Sequence, residues 1–253
     1  MIGINLEVSM KNSLKSISSL KIVRLKIMTI KFNSLLITFF LLSTLFALKM
    51  QAQSTINLFN QKNLKGWCAY EPVFGKQKDA TKIFHVDKKI IHLDGDKIGY
   101  LMSEKSFKNF QLTVEYKWNI DSTIIRKNSK KNSGIMYLVP ATTPDTLWPK
   151  GIQFQIKEGA TGDFVFLQNV ILQVKGKQTE AGKSVVSPRF EDAEKPFGEW
   201  NTIVITSLNG NIKQELNGKV VNEGIQMEIS EGRILLQYEG YPIDFRKVLV
   251  RKL

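Results

Sequence analysis

The chain has 253 residues, of which 43% are hydrophobic, and a formal net charge of +13 at pH 7. This length suits one large domain or two small ones, and the hydrophobic share is ordinary for a globular protein. Residues 1–52 hold seven lysine and arginine residues against one glutamate, which leaves 29 basic and 22 acidic residues for the rest of the chain. Because these charges are interleaved, with no arginine-rich helix or zinc-knuckle spacing, the sequence argues against a nucleic-acid partner.

Residues 1–52 are predicted to be an N-terminal extension plus a secretory signal peptide. The segment "MTIKFNSLLITFFLLSTLFALKMQAQS" has a basic start, an apolar run over residues 35–48, and the small residue Ala52 before a polar stretch. The apolar run is short for a membrane span and is interrupted by Ser43 and Thr44. We therefore expect cleavage after Ala52, a secreted or periplasmic product, and no stable membrane insertion. An uncleaved anchor is the competing interpretation, and the extension also fits a start at Met28 in place of Met1.

Residues 53–253 are expected to form one domain that a hydrophobic core stabilises without disulfides. Cys68 is the only cysteine of the chain, so no disulfide within the chain can form. Its immediate surroundings, "GWCAY", contain no basic residue, which favours a buried structural thiol over a catalytic one.

Short strand-like runs fill this domain and predict an all-β sandwich. Turn signals separate the runs: Asp94-Gly95, Asn132-Ser133-Gly134, the stretch 159–162, Asn209-Gly210 and Asn217-Gly218. The two Asn-Gly pairs suit type I′ hairpins, in which both central residues need a positive φ. Many short strands at regular spacing are typical of two packed antiparallel sheets. In chain order the runs are "KIFHVDKKIIHL", "FQLTVEYKW", "SGIMYLV", "GIQFQI", "DFVFLQNVILQV", "WNTIVITSL", "NIKQELNGKVV", "GRILLQY" and "FRKVLVRKL".

The stretch "GIQFQIKEG" (151–159) shows how alternation separates a core face from a polar face. Its apolar residues turn to one side of a strand, and Gln153, Gln155 and Lys157 turn to the other, with Glu158 just beyond. Two amides followed by a carboxylate can line a sugar-binding cleft of a lectin-type sandwich. They also fit an ordinary solvated sheet face, and the pattern alone leaves both interpretations open.

Several segments, taken together and in order, resemble the 3-keto-disaccharide hydrolase domain family. The resemblance covers about Ile56 to Leu253. It implies a concanavalin A-like jelly-roll fold, which agrees with the strand pattern. It also implies cleavage of the glycosidic bond in sugars that carry a ketone at C3. The segments are "NLFNQKNLKGW", "HVDKKIIHLDGDKIGYLMSEKSFKNFQLTVEYKW", "KNSGIMYLV", "WPKGIQFQIKEGATGDF", "GEWNTIVI", "LNGKVV" and "GRILLQYEGYPIDFRKVLVRKL".

The chemistry of such a substrate favours elimination. A C3 ketone acidifies the hydrogen on C2, so a base can form an enolate that expels the group on C1, and water can add afterwards. This route needs a general base and a stabiliser of the enolate oxygen. It does not need the paired carboxylates of an ordinary glycosidase. Direct hydrolysis stays open as the alternative.

The resemblance also implies three catalytic candidates. The family pattern is Glu-x-Gln-x-x-Asp/Glu on the opening strand, and here Gln153 stands where the first carboxylate is expected, while Gln155 and Glu158 fit. Glu239 stands where the family often has His or Glu, and is a candidate acid or base. Arg246 matches a Phe-Arg pair and is a candidate for binding substrate oxygens or stabilising an enolate. Alternatively, it neutralises Glu158 or Glu239.

The remaining candidates are for substrate binding. Asn132 is expected to form a turn or line the cleft, and Glu115 and Lys117 to form a cross-strand ion pair unless they adjoin Gln153. Aromatic rings can stack on sugars, so we add Tyr137, Tyr241 and the loop residue Trp148, whereas Trp67 and Trp200 are expected in the core. The complete predicted binding set, without Tyr241, is Gln153, Gln155, Asn132, Tyr137, Trp148, Lys117, Glu115 and Gln237.

No metal site or cofactor is firmly implied. His85 and His92 lack the spacing of a zinc site and are expected to be structural or solvent-facing, although a divalent ion held by carboxylates and substrate stays open. The sequence thus predicts an exported enzyme that acts on 3-keto-glycosides, with an oligosaccharide or glycoside as its partner. The alternatives are a non-catalytic carbohydrate-binding module, marked by Gln153, and an isomerase-like or C-glycoside-cleaving relative.

Overall fold

A computed structural model of the chain describes residues 54–93, 97–124, 126, 129–226 and 228–253, together with 31, 33–34 and 36–40. These last residues are helical, and Thr38 Oγ1 donates to the carbonyl of Ser34 at 2.8 Å. Within the described ranges, no helix has both the length and the apolar character needed to cross a membrane. The predicted cleavage point at Ala52 and the Asp94-Gly95 turn lie outside the described residues, so the signal peptide stays a prediction.

Residues Ser54–Leu253 form one compact unit built from antiparallel strands, with a single 3₁₀ turn (Ala80–Lys82) in its described part. The strands are β1 (Thr55–Asn57), β2 (Trp67–Glu71), β3 (Gly75–Gln77), β4 (His85–Asp87), β5 (Ile90–Leu93), β6 (Ile98–Phe107), β7 (Phe110–Trp118), β8 (Asn132–Val139), β9 (Gly151–Lys157), β10 (Phe164–Leu167), β11 (Gln173–Val174), β12 (Lys177–Gln178), β13 (Ser184–Ser187), β14 (Asn201–Leu208), β15 (Asn211–Leu216), β16 (Lys219–Ile225), β17 (Gly232–Glu239) and β18 (Ile243–Lys252).

The strands make two sheets, which pack face to face. Sheet I has the order β12-β11-β16-β15-β14-β7-β18-β5-β4, with β1 paired to β18. Sheet II has the order β13-β10-β9-β8-β17-β6-β2-β3. The predicted fold class, an all-β sandwich of two antiparallel sheets, is therefore confirmed.

The core lies between the sheets and follows the period-two alternation of the strands. In β7 the residues at 110, 112, 114, 116 and 118 are buried, and those between them are partly exposed. From sheet II, Phe154 of β9 and Leu236 of β17 reach the same cluster, and Trp67 is buried there as expected. Burial of side chains of this size supplies most of the favourable free energy of folding.

The turn predictions hold at both Asn-Gly pairs. Asn209-Gly210 joins β14 to β15 and Asn217-Gly218 joins β15 to β16, and all four residues have a positive φ. The run "DFVFLQNVILQV" is not one strand, because Gln168 and Asn169 adopt a positive φ and end β10.

The predicted turn at Asn132-Ser133-Gly134 is wrong, since all three residues begin β8. Their side chains do not close a local turn: the Ser133 hydroxyl donates to the carbonyl of Gln237 at 2.8 Å, across to β17. Asn132 likewise bonds to β17, through the carboxylate of Glu239.

Candidate active site

The polar face of "GIQFQIKEG" lies on the outer side of sheet II, away from the main core. Gln153 on β9 pairs in register with Met136 on β8 and with Val165 on β10. The side chain of Gln153 is only 4% exposed, although it points away from the core. An ordinary solvated face would leave it open to water, so neighbouring side chains cover Gln153, and this covered patch of the outer face is called the recess below.

Three glutamines in this recess are joined by hydrogen bonds. Gln237 Nε2 donates to Gln153 Oε1 at 2.9 Å, and Gln153 Nε2 donates in turn to Gln155 Oε1. Gln237 is 1% exposed, and its Oε1 has no partner among the described residues. A buried amide with unused bonding capacity is costly unless a ligand or water completes it, so the amides fit a site for hydroxyl-bearing ligands.

Gly134 makes the crossing of these amides sterically feasible. A Cβ at this position would lie 2.4 Å from Gln237 Oε1 and 2.6 Å from Gln153 Nε2. Both separations are shorter than any normal contact, so a larger residue would push the amides apart. Gly134 therefore forms the floor under the glutamines.

Glu239 stands at the end of β17, beside the amides. Asn132 Nδ2 donates to Glu239 Oε2, and this carboxyl is half-buried. Burial raises the pKa of Glu239 to about 7, although the charge of Lys157 and the Asn132 hydrogen bond act in the lowering direction. A carboxyl with a pKa near neutrality can both accept and return a proton, which is what general acid–base catalysis requires.

Glu158 does not share this environment. The residue lies in the turn after β9 and is exposed, and its backbone N–H donates to the carbonyl of Lys131 at 3.1 Å. Its carboxylate takes part in none of the hydrogen bonds that link the glutamines, Asn132 and Glu239. Of the two predicted catalytic carboxylates, the structure brings only Glu239 to the amides.

The predicted candidates Arg246, Glu115 and Lys117 lie on the outer face of sheet I, on the opposite side of the sandwich. Arg246 Nε donates to Glu115 Oε2 at 2.5 Å, so it neutralises Glu115 and not Glu158 or Glu239. Burial acts to raise the pKa of Glu115, but the Arg246 hydrogen bond and the Arg246 and Lys247 charges lower it overall. The predicted cross-strand ion pair involving Glu115 is thus present, with Arg246 and Lys247 in place of Lys117.

Lys117 has two other neighbours on that face. Its Nζ lies 3.8 Å from Asp244 Oδ2 and 5.2 Å from the ring centroid of Trp200. Trp200 is half-buried there beneath Arg246, whose Cζ lies 4.2 Å from the ring centroid, so its expected place in the core is wrong. The alternation of β7 separates Lys117 from the core, but no pattern in one strand says which sheet holds the recess.

Two of the three proposed sugar-stacking rings are in the core. Tyr137 is fully buried, and its hydroxyl accepts a hydrogen bond from Gln214 Nε2 at 2.9 Å. Tyr241 is 6% exposed and packs edge-on against Trp118. Trp148 is half-buried and packs on the outer face of sheet II, and its role as a cleft wall stays a prediction.

The histidines form a structural pair on sheet I. His85 and His92 stack with ring centroids 5.0 Å apart, and His92 Nδ1 lies 2.8 Å from Asp244 Oδ1. Across the described ranges, no group of three or more His, Cys, Asp and Glu side chains is arranged to hold a metal ion. Cys68 is buried, and burial raises the pKa of its thiol, which keeps it in its unreactive form.

Two residues of the site were not predicted from sequence. Lys157 is the cation that acts on Glu239, and alternation had already placed it on the polar face with the glutamines. For Gly134, the sequence offered only its place in a turn-like motif and nothing that indicated a part in the site. Its role depends on side chains that come from β9 and β17, which are far away in the sequence.

The geometry can be compared with known proteins. The model of the 3-keto-alpha-glucoside-1,2-lyase-like domain family matches residues 54–251. The chain belongs to this family. This match confirms the resemblance found in the sequence, because it covers the whole of the compact unit except its last two residues. None of the curated proteins is significantly similar to this member of the 3-keto-alpha-glucoside-1,2-lyase-like family.

Solved structures support the fold of this family member. A crystal structure of a candidate glycosyl hydrolase from Parabacteroides distasonis is 19% identical, covers 81% of this chain and 96% of its own, and superposes with a TM-score of 0.56. A second candidate glycosyl hydrolase from the same organism is also 19% identical, covers 79% of this chain and 100% of its own, and gives a TM-score of 0.54. At this identity the two structures establish a shared fold.

Proposed function

We propose that this protein cleaves the glycosidic bond of 3-keto-glycosides, with Glu239 as the general base. The observation that carries the proposal is the half-buried Glu239 carboxyl, with a pKa of about 7, beside a recess floored by three linked glutamines. The amides offer neutral hydrogen-bonding groups to sugar hydroxyls, and membership of the family points to a keto-sugar.

The proposed reaction begins with the transfer of the C2 proton to Glu239. The electrons of the C2–H bond form an enolate with the C3 ketone, which the Lys157 ammonium stabilises. The enolate then restores the C3 carbonyl, a C1–C2 double bond forms, and the C1–O bond breaks. The leaving oxygen takes the proton back from Glu239, and water can then add across the C1–C2 double bond.

Gln153 has a binding role in this scheme. An amide cannot take up a proton at neutral pH, so Gln153 orients substrate hydroxyls, and another residue must act as the base. Glu239 is suited to that role because its pKa is far closer to neutrality than that of an ordinary carboxyl.

Incubation of the purified domain with 3-keto-trehalose and a 3-keto-glucoside tests the proposal. We expect both compounds to be cleaved, and Glu239→Gln to lower kcat at least about 100-fold, in line with the usual contribution of a general base. Glu158→Gln is the matched control, since Glu158 is an exposed carboxylate outside the amide network, and should retain activity. Full activity of Glu239→Gln would refute the assigned base.

The second candidate function is a non-catalytic carbohydrate-binding module, and Gln153 favours it because a carboxylate is expected there. The two functions give different results in the same experiment. Binding of the keto-sugar without product would support the module and overturn the proposed enzyme. In active protein, solvent deuterium at C2 of the product is expected for elimination, and its absence would favour direct hydrolysis.

A further inference from the structure

The turn after β9 holds a buried hydroxyl group that has no part in the amide network. Thr161 is 1% exposed and lies in the turn that joins β9 to β10. Its Oγ1 accepts a hydrogen bond from the backbone N–H of Lys157 at 3.2 Å, and lies 2.9 Å from the carbonyl oxygen of the same residue. The hydroxyl therefore contacts both backbone polar groups of Lys157, which is the last residue of β9.

The proton of this hydroxyl is directed to a carboxylate. Thr161 Oγ1 lies 3.0 Å from Glu194 Oε2. A hydroxyl has one proton to donate, and an ionised carboxylate is a stronger acceptor than a peptide carbonyl. The carbonyl of Lys157 also has another donor, the backbone N–H of Ala160 at 2.9 Å. The result is a chain of hydrogen bonds from the Lys157 N–H through the Thr161 hydroxyl to Glu194, here called the Thr161 chain.

Glu194 is itself fixed by residues of the core. Its Oε1 accepts hydrogen bonds from Tyr116 Oη at 2.8 Å and from Trp118 Nε1 at 3.0 Å, and both donors belong to buried side chains of sheet I. The Thr161 chain therefore ties the end of β9, a strand of sheet II, to the packed interior of the sandwich.

The backbone position of Lys157 matters because its side chain must reach across a strand. Lys157 is on β9 and Glu239 is on β17, with β8 between them. Neighbouring strands lie about 4.8 Å apart, so the two backbones are separated by about 10 Å. The ammonium acts on Glu239 by extending past Asn132, the register partner of Lys157. Because a charge interaction weakens with distance, a shift of the end of β9 changes it directly.

On the other side of Glu239, the neighbours on β6 do not take over this role. The register partner of Glu239 there is Ile98, which has no charge. Lys97, next to Ile98, lies 3.6 Å from the carboxylate of Glu71 and is paired with it. Burial raises the pKa of Glu239, and the charge of Lys157 opposes this rise. The pKa of Glu239 therefore reports where the Lys157 ammonium lies.

We propose that Thr161 is a positioning residue, which holds Lys157 beside Glu239 through the Thr161 chain. The proposal rests on the proposed function, because Lys157 is the side chain assigned there to stabilise the enolate. It gives a buried threonine outside the amide network an influence on the rate, although its hydroxyl contacts only the backbone of Lys157 and the carboxylate of Glu194.

The test uses Thr161→Val, which removes the hydroxyl and keeps the shape of the side chain. The backbone bond from Ala160 to Lys157 still closes the turn, so the variant should fold. We expect the pKa of Glu239, followed by NMR titration of its carboxyl carbon, to rise. With a 3-keto-glucoside, kcat should fall at least about threefold and KM should stay within about twofold, since enolate stabilisation is gained only in the transition state.

Two variants serve as controls. Thr161→Ser keeps the hydroxyl and should have the wild-type pKa and rate. Thr179→Val removes a comparable hydrogen bond after β12 of sheet I, where Thr179 Oγ1 accepts from the backbone N–H of Leu172 at 3.0 Å, and should change neither quantity. If Thr161→Ser were as defective as Thr161→Val, packing of the methyl group would be the cause, and the positioning role would be refuted.

A double variant separates positioning from a general loss of structure. In Lys157→Gln no charge remains to be positioned, so adding Thr161→Val should not move the pKa of Glu239 further. A further rise in that background, or no rise in Thr161→Val alone, would overturn the proposal. If the wild type cleaves no keto-sugar, the proposed function fails, and the NMR titrations still decide whether Thr161 positions Lys157.

Discussion

The ionisation of Glu239 should control the rate at the level of a single residue. A general base acts only when ionised, so kcat/KM should rise tenfold per pH unit below an apparent pKa of about 7 and level off above it. The Lys157 charge lowers this pKa, so Lys157→Gln should move the rising limb to higher pH. Lys219→Gln, whose lysine pairs with Glu191, is a charge-matched control and should leave the profile in place. A profile already flat from pH 5 to 8 would exclude Glu239 as the base.

Gly134 gives a second prediction at this scale. In Gly134→Ala the new methyl group would overlap the Gln237 and Gln153 amides, which must shift to avoid it. We expect the affinity for the keto-sugar to fall at least about tenfold, with little loss of stability because flexible side chains absorb the clash. Titration calorimetry and thermal unfolding measure the two effects. Unchanged affinity would mean that the amides do not contact the ligand.

The residues whose position on a face the sequence predicted share one property: their place in a strand determines their environment. Alternation placed Gln153, Gln155 and Gln237 on one polar face, and the structure links them. Arg246 and Tyr137 were misplaced for different reasons. The side of the sandwich that a polar face occupies depends on sheet topology. A tyrosine can be buried wherever a partner such as Gln214 donates a hydrogen bond to its hydroxyl.

At the scale of elements, the His92–Asp244 pair links β5 to β18. The Asp244 hydrogen bond, opposed by burial, raises the pKa of His92 above its usual 6.5. A raised pKa means that the pair stabilises the fold fully below pH 6.5, and that this stabilisation is lost as pH rises through the folded-state pKa. His92→Asn should therefore lower the free energy of unfolding by about 1 kcal/mol at pH 5.5 and by less at pH 8.5.

Urea unfolding at the two pH values measures this difference. Asp244→Asn removes the same charge interaction from the other partner, and should abolish the pH dependence while leaving His92 in place. An equal effect of His92→Asn at both pH values would show that the imidazole acts by packing alone. In that case the charge interaction between His92 and Asp244 would not contribute to joining β5 and β18.

The elements that sequence predicted well are those with a local cause. Asn209-Gly210 and Asn217-Gly218 form their hairpins because both residues tolerate a positive φ. The Asn132-Ser133-Gly134 motif has the same residue types but lies in β8, because Ser133 bonds to Gln237 and Gly134 makes room for two amides. Tertiary contacts therefore determine that these three residues form a strand, and a short stretch of sequence does not reveal such contacts.

At the scale of the whole molecule, the all-β class followed from the strand pattern. The polar contacts that connect the two sheets did not. Glu194 lies between β13 and β14 and accepts hydrogen bonds from Tyr116 (2.8 Å) and Trp118 (3.0 Å) of sheet I. Its second oxygen accepts from Thr161 (3.0 Å), in the turn between two strands of sheet II. One carboxylate therefore connects both sheets through a segment that the strand pattern left without a role.

This connection predicts a large effect on stability. Glu194→Ala would remove the acceptor of two buried donors, Tyr116 Oη and Trp118 Nε1, so the free energy of unfolding should fall by about 2–4 kcal/mol. Glu194→Gln keeps an acceptor oxygen and should lose about half as much. Glu191→Ala, in the same segment but exposed and paired with Lys219, should change stability by less than about 0.5 kcal/mol. If the free energy of unfolding of Glu194→Ala also changes by less than about 0.5 kcal/mol, the sheets are joined by their apolar core alone.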